Sequence, residues 1–319
     1  MLYGLRWIKQ HLVLSIMIGM VVGLMIGQVF DTTVLSPSVT MLSFLMVYPM
    51  MVTLHFPSLL TKGNTRLQVV TQLINFIYLP FLAFVFGLIF FTDAIYLRLA
   101  ILLIALLPTS GMTVSWTVMA KGNVKAAIRM IIIGLVLGGL LTPFYIGFYL
   151  GEAIDIPFID IFRQIIYIVF LPMILGFFTQ VVLKKQYGPT TFHTTIKPIF
   201  PLFSTLFVLV LITLVMSMRS RMLLSDPFMF IRILVPLVIG YALMIASVHL
   251  IGVRLFNFED RVALVNGTMV RNLSLALAIA LTVFSEVGPE VALVIGVAYI
   301  VQVQFAAWYV KYSIIKESQ

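Results

Sequence analysis

Ten apolar runs, each about twenty residues long and set apart by short polar segments, leave this chain little to fold into except membrane-crossing helices. A helix needs roughly 20 apolar residues to span the hydrocarbon core. The runs fall at Leu12–Phe30, Val39–Leu59, Val69–Phe91, Tyr96–Met119 and Ala126–Leu150, then Ile161–Val182, Pro198–Met218, Phe228–Leu250, Val262–Phe284 and Val291–Val310. Composition agrees: 62% of the residues are hydrophobic and 10% charged, against about 25% charged in a soluble domain. The expected fold is an all-α polytopic membrane protein. Leu12–Phe30 follows Arg6 and Lys9 like a signal sequence, but it is too long for an h-region and has no small-x-small cleavage site. It reads as a retained first helix.

The chain contains no cysteine, which removes disulfides, thiolate metal sites and thiol capture of soft metalloids. The net charge of +9 forms no basic stripe with interleaved aromatics, so nucleic acid is not a partner. The basic residues sit in the short loops instead, where they set topology. With the N-terminus inside, Arg6, Lys9, Lys62, Arg66, Lys121, Lys125, Arg129, Lys184, Lys185, Lys197, Arg254, Arg261, Lys311 and Lys316 are cytoplasmic. Only Arg98, Arg163, Arg219, Arg221 and Arg232 lie opposite. Both termini are therefore expected in the cytoplasm, and the expected location is a prokaryotic inner (plasma) membrane.

The halves echo each other. Arg6 and Arg163, Pro80 and Pro236, and Arg98 and Arg261 pair at offsets of 156 to 163 residues. Five helices per repeat, residues 1–150 and 151–319, would place the two repeats in inverted orientation with a join near Gly151–Pro157. The fourth run is interrupted by Pro108-Thr109-Ser110-Gly111. At the corresponding place the ninth carries Asn266-Gly267-Thr268 and Arg271-Asn272. Interrupted helices at matching positions of two halves point to a transporter site, where freed carbonyls hold cations and helix N-termini favour anions. Arg271 is the single Lys, Arg, Asp or Glu so deep in any run, and burying it costs at least ~2.5–3.5 kcal/mol. The bland alternative is an Arg bonded to backbone carbonyls and a kink packed by small residues.

These residues carry a resemblance. The fourth run reads Pro108-Thr109-Ser110-Gly111-Met112-Thr113-Val114-Ser115-Trp116, then Ala120-Lys121-Gly122-Asn123. The ninth reads Arg271-Asn272-Leu273-Ser274-Leu275-Ala276-Leu277-Ala278, and the second holds Tyr48-Pro49-Met50-Met51. The chain resembles the bile acid/sodium symporter and arsenite permease superfamily, the bile/arsenite/riboflavin transporter type. The resemblance implies ten helices in a 5+5 inverted repeat, core and panel bundles formed across both repeats, and discontinuous fourth and ninth helices crossing at the site. Two departures stand out. The arsenite branch has a cysteine where this chain has Thr109 and a Glu where it has Ser274. The sodium sites of the bile acid branch use a Glu, a Gln and a Ser-Asn pair, where this chain has Gly267, Arg271 and Thr113-Val114. A fixed guanidinium repels sodium and can occupy its place.

The function expected is a secondary transporter of a small organic or inorganic anion by alternating access. Sodium coupling is doubtful, and no cofactor or metal is implied. The alternatives are a sodium-coupled organic anion symporter, an arsenite or antimonite efflux permease and, in another class, an anion channel. No deep Asp, Glu or Cys supplies hydrolytic chemistry, and no ATP-binding loop is present, so an enzyme is not expected. Arg271, Asn272, Asn266, Thr268, Ser274, Thr109, Ser110 and Thr113 are the substrate-binding candidates. Ser115, Thr117, Gln72 and Asn75 are the cation-binding candidates. Arg271 either clamps the anion or stands in for a cation between the broken helices. The clamp is expected, because no carboxylate lies deep in any run to neutralise the charge and an anion would. His55 and His249 could relay protons, although packed or interfacial histidines are the plainer reading.

Overall fold

The structure, a computed structural model, describes residues 2–55, 64–92, 94–150, 158–225, 228–284 and 287–317. The expected repeat junction Gly151–Pro157 and the loop charge Lys62 lie outside the described residues. Helix α1 (Leu2–Gln10) leads into α2 (Leu12–Val29). Asp31 then caps a 3-10 turn by accepting the Thr33 hydroxyl and N–H, bonds that hold its carboxyl below its ordinary value. Helix α3 spans Ser38–Val52. Asn64 caps α4 (Thr65–Leu73), which passes through a π-helical turn at Ile74–Tyr78 into α5 (Leu79–Phe90). Then come α6 (Ile95–Leu106), α7 (Gly111–Met119) and α8 (Val124–Leu150). Helix α9 (Phe158–Ile165) runs through a second π turn, Ile166–Phe170, into α10 (Leu171–Tyr187), followed by the single turn α11 (Pro189–Thr191). The chain closes with α12 (Phe200–Met218), α13 (Ser220–Ser225), α14 (Phe228–Leu255), α15 (Phe258–Met269), α16 (Leu273–Val283) and α17 (Gly288–Glu317).

Both of these π turns precede a proline, Pro80 and Pro172, and a third, Phe192–Ile196, precedes Pro198. Proline has no N–H, so the carbonyl four residues earlier loses its helical donor. For Pro80 that carbonyl is Phe76, and the Tyr145 hydroxyl of α8 donates to it instead.

Among the described residues, seven helices are long and apolar enough to cross a membrane. Ser38–Val52, Ile95–Leu106 and Leu273–Val283 are shorter apolar helices. The chain is thus an all-helical, multi-pass membrane protein. Three of the ten expected runs are shorter as helices for two reasons. The fourth and ninth are each cut in two, by residues 107–110 and 270–272, and helix α3 stops at Val52.

The chain forms two compact units. One comprises Met1–Leu54, Ile156–Phe230 and Ser274–Gly296; the other His55–Asp155, Ile231–Leu273 and Val297–Gln319. In the first, α12 packs along α2 and α3. Gly23 and Gly27 admit the close approach to α12: a Cβ would come within 2.4 Å of the Thr213 carbonyl oxygen and 1.9 Å of the Ser217 carbonyl oxygen respectively. Gln180 of α10 donates to the carbonyls of Val52 (2.9 Å) and Leu54 (2.8 Å), which the end of α3 leaves open.

The second unit starts three of its helices at one carboxylate. Asp260, in the first turn of α15, accepts from Asn64 Nδ2 and Asn123 Nδ2, each at 2.7 Å. The same asparagines turn their side-chain oxygens to the N–H groups of Leu67 (3.1 Å) and Ala126 (3.0 Å), and Asn257 accepts the Asp260 N–H at 2.9 Å. Three capping asparagines thus start α4, α8 and α15. One negative charge stands where three helix dipoles favour it.

Candidate functional site

The site is built within the second unit, where the break between α6 and α7 meets the segment that follows α15. Helix α6 stops at Leu106 because Pro108 cannot continue the ladder, and α7 restarts behind Ser110. The Ser110 hydroxyl accepts the Met112 N–H at 3.2 Å, and the Thr113 hydroxyl accepts the Ser110 N–H at 3.2 Å. Between them Thr109 is held at φ +58°, a left-handed conformation unfavourable for a β-branched residue. Its hydroxyl donates to the Pro108 carbonyl at 2.8 Å. Gly134 and Gly138 of α8 give the unwound segment its room. A Cβ on Gly134 would lie 2.9 Å from Thr109 Oγ1, and one on Gly138 3.0 Å from the Leu106 carbonyl oxygen.

The second break answers the first. Pro108 and Arg271 form an antiparallel bridge, and the Asn272 N–H donates to the Leu107 carbonyl at 2.8 Å. Backbone groups freed from both helices thereby satisfy each other, as unwound backbone at membrane depth must. Gln302 of α17 completes the junction. Its Oε1 accepts the Arg271 N–H at 2.7 Å, its Nε2 donates to the Arg271 carbonyl at 3.3 Å, and the Tyr241 hydroxyl donates to the same Oε1 at 3.0 Å.

The Arg271 side chain is 2% exposed. Nε donates to the Ile104 carbonyl at 2.9 Å, and Nη2 donates to the Ala105 carbonyl. Nη1 donates to the Thr268 carbonyl at 2.9 Å and to Asn75 Oδ1 at 2.6 Å. Ile104 and Ala105 belong to the last turn of α6, Thr268 to the last turn of α15. The guanidinium therefore sits on the open carbonyls of two half-helices, where their dipoles favour positive charge.

The structure gathers only some of the expected residues at this point. Asn75, Thr268 and Arg271 touch directly, and Asn272 pairs through its backbone. Asn75 also donates to the Gly267 carbonyl at 3.2 Å. Thr113 and Thr117 are fully buried, with the Thr117 hydroxyl returned to the Thr113 carbonyl at 2.7 Å. Ser115 faces the opposite way, on the exposed side of α7, and is not drawn into this cluster. The amides of Asn266 and Gln72 have both polar atoms buried and no hydrogen-bond partner among the described residues. Ser274, in the first turn of α16, is half-buried and belongs to the other unit. His249 packs edge-on against Tyr309 and Tyr312, its Nδ1 3.3 Å from the Tyr309 hydroxyl.

Three participants escaped the sequence reading. Ile104 and Ala105 serve through main-chain oxygens, which no side chain announces. Asp260 had a legible signal in the cap spacing Asn257-Phe258-Glu259-Asp260.

Unwound helices that pair around a buried cation inside a multi-pass helical protein define a membrane transporter rather than an enzyme. The sequence model of the Sodium Bile acid symporter family matches residues 39–226, more than half of the chain, and the chain belongs to that family. It is also similar to two proteins named Arsenical-resistance protein Acr3. The one from Alkaliphilus metalliredigens is 23% identical over 74% of this chain and 72% of the relative. The one from Corynebacterium glutamicum is 22% identical over 92% and 89%.

Proposed function

We propose that the chain is a secondary transporter that moves a small organic or inorganic anion by alternating access without sodium, with Arg271 permanently holding the place of a bound cation. One observation carries this reading. The guanidinium takes three carbonyls at the ends of two half-helices and the Asn75 amide oxygen, the kind of oxygen set an alkali cation would use. Four hydrogen bonds occupy most of its five N–H groups, which supports the stand-in role over the direct clamp expected from sequence. The amide of Asn266 is fully buried, with neither end partnered among the described residues, and such a group calls for a ligand. We assign it to substrate, with Thr109, Ser110, Thr113 and Asn272 around the breaks.

The architecture we propose is ten crossings in a 5+5 inverted repeat. Seven long helices, the short α3 and the two broken pairs support that count. Both units draw segments from both halves, which supports core and panel bundles assembled across the repeats. Both termini are assigned to the cytoplasm, in a prokaryotic inner membrane.

The test is uptake into proteoliposomes of bile-acid-like anions, short carboxylates, arsenite and antimonite, with sodium or choline outside and with imposed proton gradients. The expected outcome is transport of an anion at equal rate in sodium and choline, and a rate that becomes sodium-stimulated in Arg271→Gln. Saturable sodium dependence of the parent protein would sink the proposal. The names of the two relatives favour a second reading, metalloid efflux. The absence of cysteine and the Thr109 and Ser274 positions speak against a thiolate-assisted version, and the arsenite and antimonite arms separate the two.

A further inference from the structure

The first turn of α17 is held from two sides. Gly288 lies so close to the end of α16 that a Cβ there would collide with the Ala280 carbonyl, and its N–H donates to the Phe284 carbonyl. Two residues on, Glu290 Oε1 pairs with Nη2 of Arg219, the residue that ends α12, at 3.1 Å. Both partners belong to the first unit, in which α12 packs along α2 and α3. The ion pair therefore fastens the start of α17 to that helix stack. Roughly three turns further along the same continuous helix, Gln302 holds the N–H and carbonyl of Arg271. One helix thus carries an ion pair near its start and the junction of the unwound segments in its middle.

The pair is unequal. The Glu290 side chain is 13% exposed and that of Arg219 34%. Glu290 Oε2 is buried and has no hydrogen-bond partner among the described residues. A carboxylate with one dry, unmet oxygen keeps part of its charge uncompensated, and a single ion pair offsets that cost only in part. A proton removes the charge, and Arg219, the more exposed partner, can then turn to water. Arg219 is the charge that acts on Glu290 among the described residues. Helix α16 carries no charged residue, α17 none between Glu290 and Lys311, and Arg221 of α13 acts on Asp31. We propose that Glu290 is a proton-binding site that sets whether the outer end of α17 is fastened. Ionised, it holds α17 to α12 through Arg219; protonated from the outer water, it lets go. The step breaks one ion pair and forms one O–H bond on the carboxylate, and the proton returns to water when the pair re-forms. Its part in transport, a proton-driven release of the helix that bears Gln302, rests on the transporter reading; the binding of the proton does not.

The chain has no cysteine, so a single introduced one reports on the fastening. Val294 lies one turn inward of Glu290 on the same helix face and is fully buried. Val294→Cys is labelled with an impermeant methanethiosulfonate added outside right-side-out vesicles. Each rate is divided by that of Phe228→Cys, at an exposed position, to cancel the slowing of thiols by acid. With Glu290 in place, labelling should rise at least about tenfold as the outer pH falls from about 8 to about 4, through the carboxylate range. Glu290→Gln should label at the faster rate throughout, and Arg219→Gln, which opens the pair from its exposed side, should do the same. Arg219→Lys keeps the charge and should keep the response to acid. A single monodisperse elution peak verifies each fold. A rise with acid that survives in Glu290→Gln would overturn Glu290 as the proton site. Labelling of Glu290→Gln and Arg219→Gln at the parent rate near neutral pH would overturn the fastening. No substrate enters the assay, so its outcome stands apart from that of the uptake experiment.

Discussion

Replacing Asp260 with asparagine changes no volume and reverses one hydrogen-bonding direction, which makes it a sharp test of the junction that starts α4, α8 and α15. The carboxylate accepts from Asn64 and Asn123 at 2.7 Å each. An amide at position 260 can accept from one of them only and must point its own NH2 at the other. Neither partner can rotate to relieve the clash, because each side-chain oxygen already caps a helix through Leu67 or Ala126. Two bonds to a charged acceptor at ~1.5–3 kcal/mol each give way to one neutral bond of about 1 kcal/mol. With Asp260 only 8% exposed, solvent cannot repair the loss, and the net cost is roughly 2–5 kcal/mol. At about 2–4 °C per kcal/mol, the apparent Tm by intrinsic fluorescence in detergent should fall by roughly 4–20 °C. Glu259→Gln, at the exposed neighbouring position, should stay within about 0.5 kcal/mol of the parent. A Tm for Asp260→Asn equal to that of Glu259→Gln would refute the three-cap account.

Tyr145→Phe should destabilise by about 1–2 kcal/mol by stranding the Phe76 carbonyl that Pro80 frees. Tyr149→Phe, whose ring also stacks on its neighbours, should cost less in the same melt. For orientation, a cysteine introduced at Tyr187, beside Lys184 and Lys185, should react with an impermeant maleimide only in inside-out vesicles. Reaction in intact cells would reverse the assigned topology.

Much of this molecule was legible because the membrane restricts the vocabulary. Apolar runs of set length announced the helices, and Pro108 announced the first break; the second falls at residues 270–272, while Asn266, Gly267 and Thr268, expected to interrupt the run, stay helical within α15. Arg271 stood out by cost alone. What surrounds it did not, because its principal partners are the carbonyls of Ile104, Ala105 and Thr268, and every residue type carries a carbonyl. Asn75, a cation-ligand candidate from sequence, accepts instead from the Arg271 guanidinium. Ser115 shows the limit of a contiguous motif. It lies two residues from Thr113 and Thr117, and helical rotation sends it to the other face. The end of α3 at Val52 is not marked by its apolar run, and the carbonyls it leaves open are met by Gln180 of α10, a partner far along the chain.

The divided duties of the capping asparagines also bear on chemical ageing. Each of Asn64 and Asn123 uses its oxygen for a helix and its nitrogen for Asp260. Spontaneous hydrolysis of either amide to an acid would leave the cap intact and nearly the same shape. The nitrogen facing Asp260 would become an oxygen, setting two carboxylates against each other across a hydrogen-bond distance with no proton between them. A one-dalton change, almost invisible to a substitution table, would therefore strike the place where three helices begin. Stored or long-lived copies of the protein should lose cohesion there first.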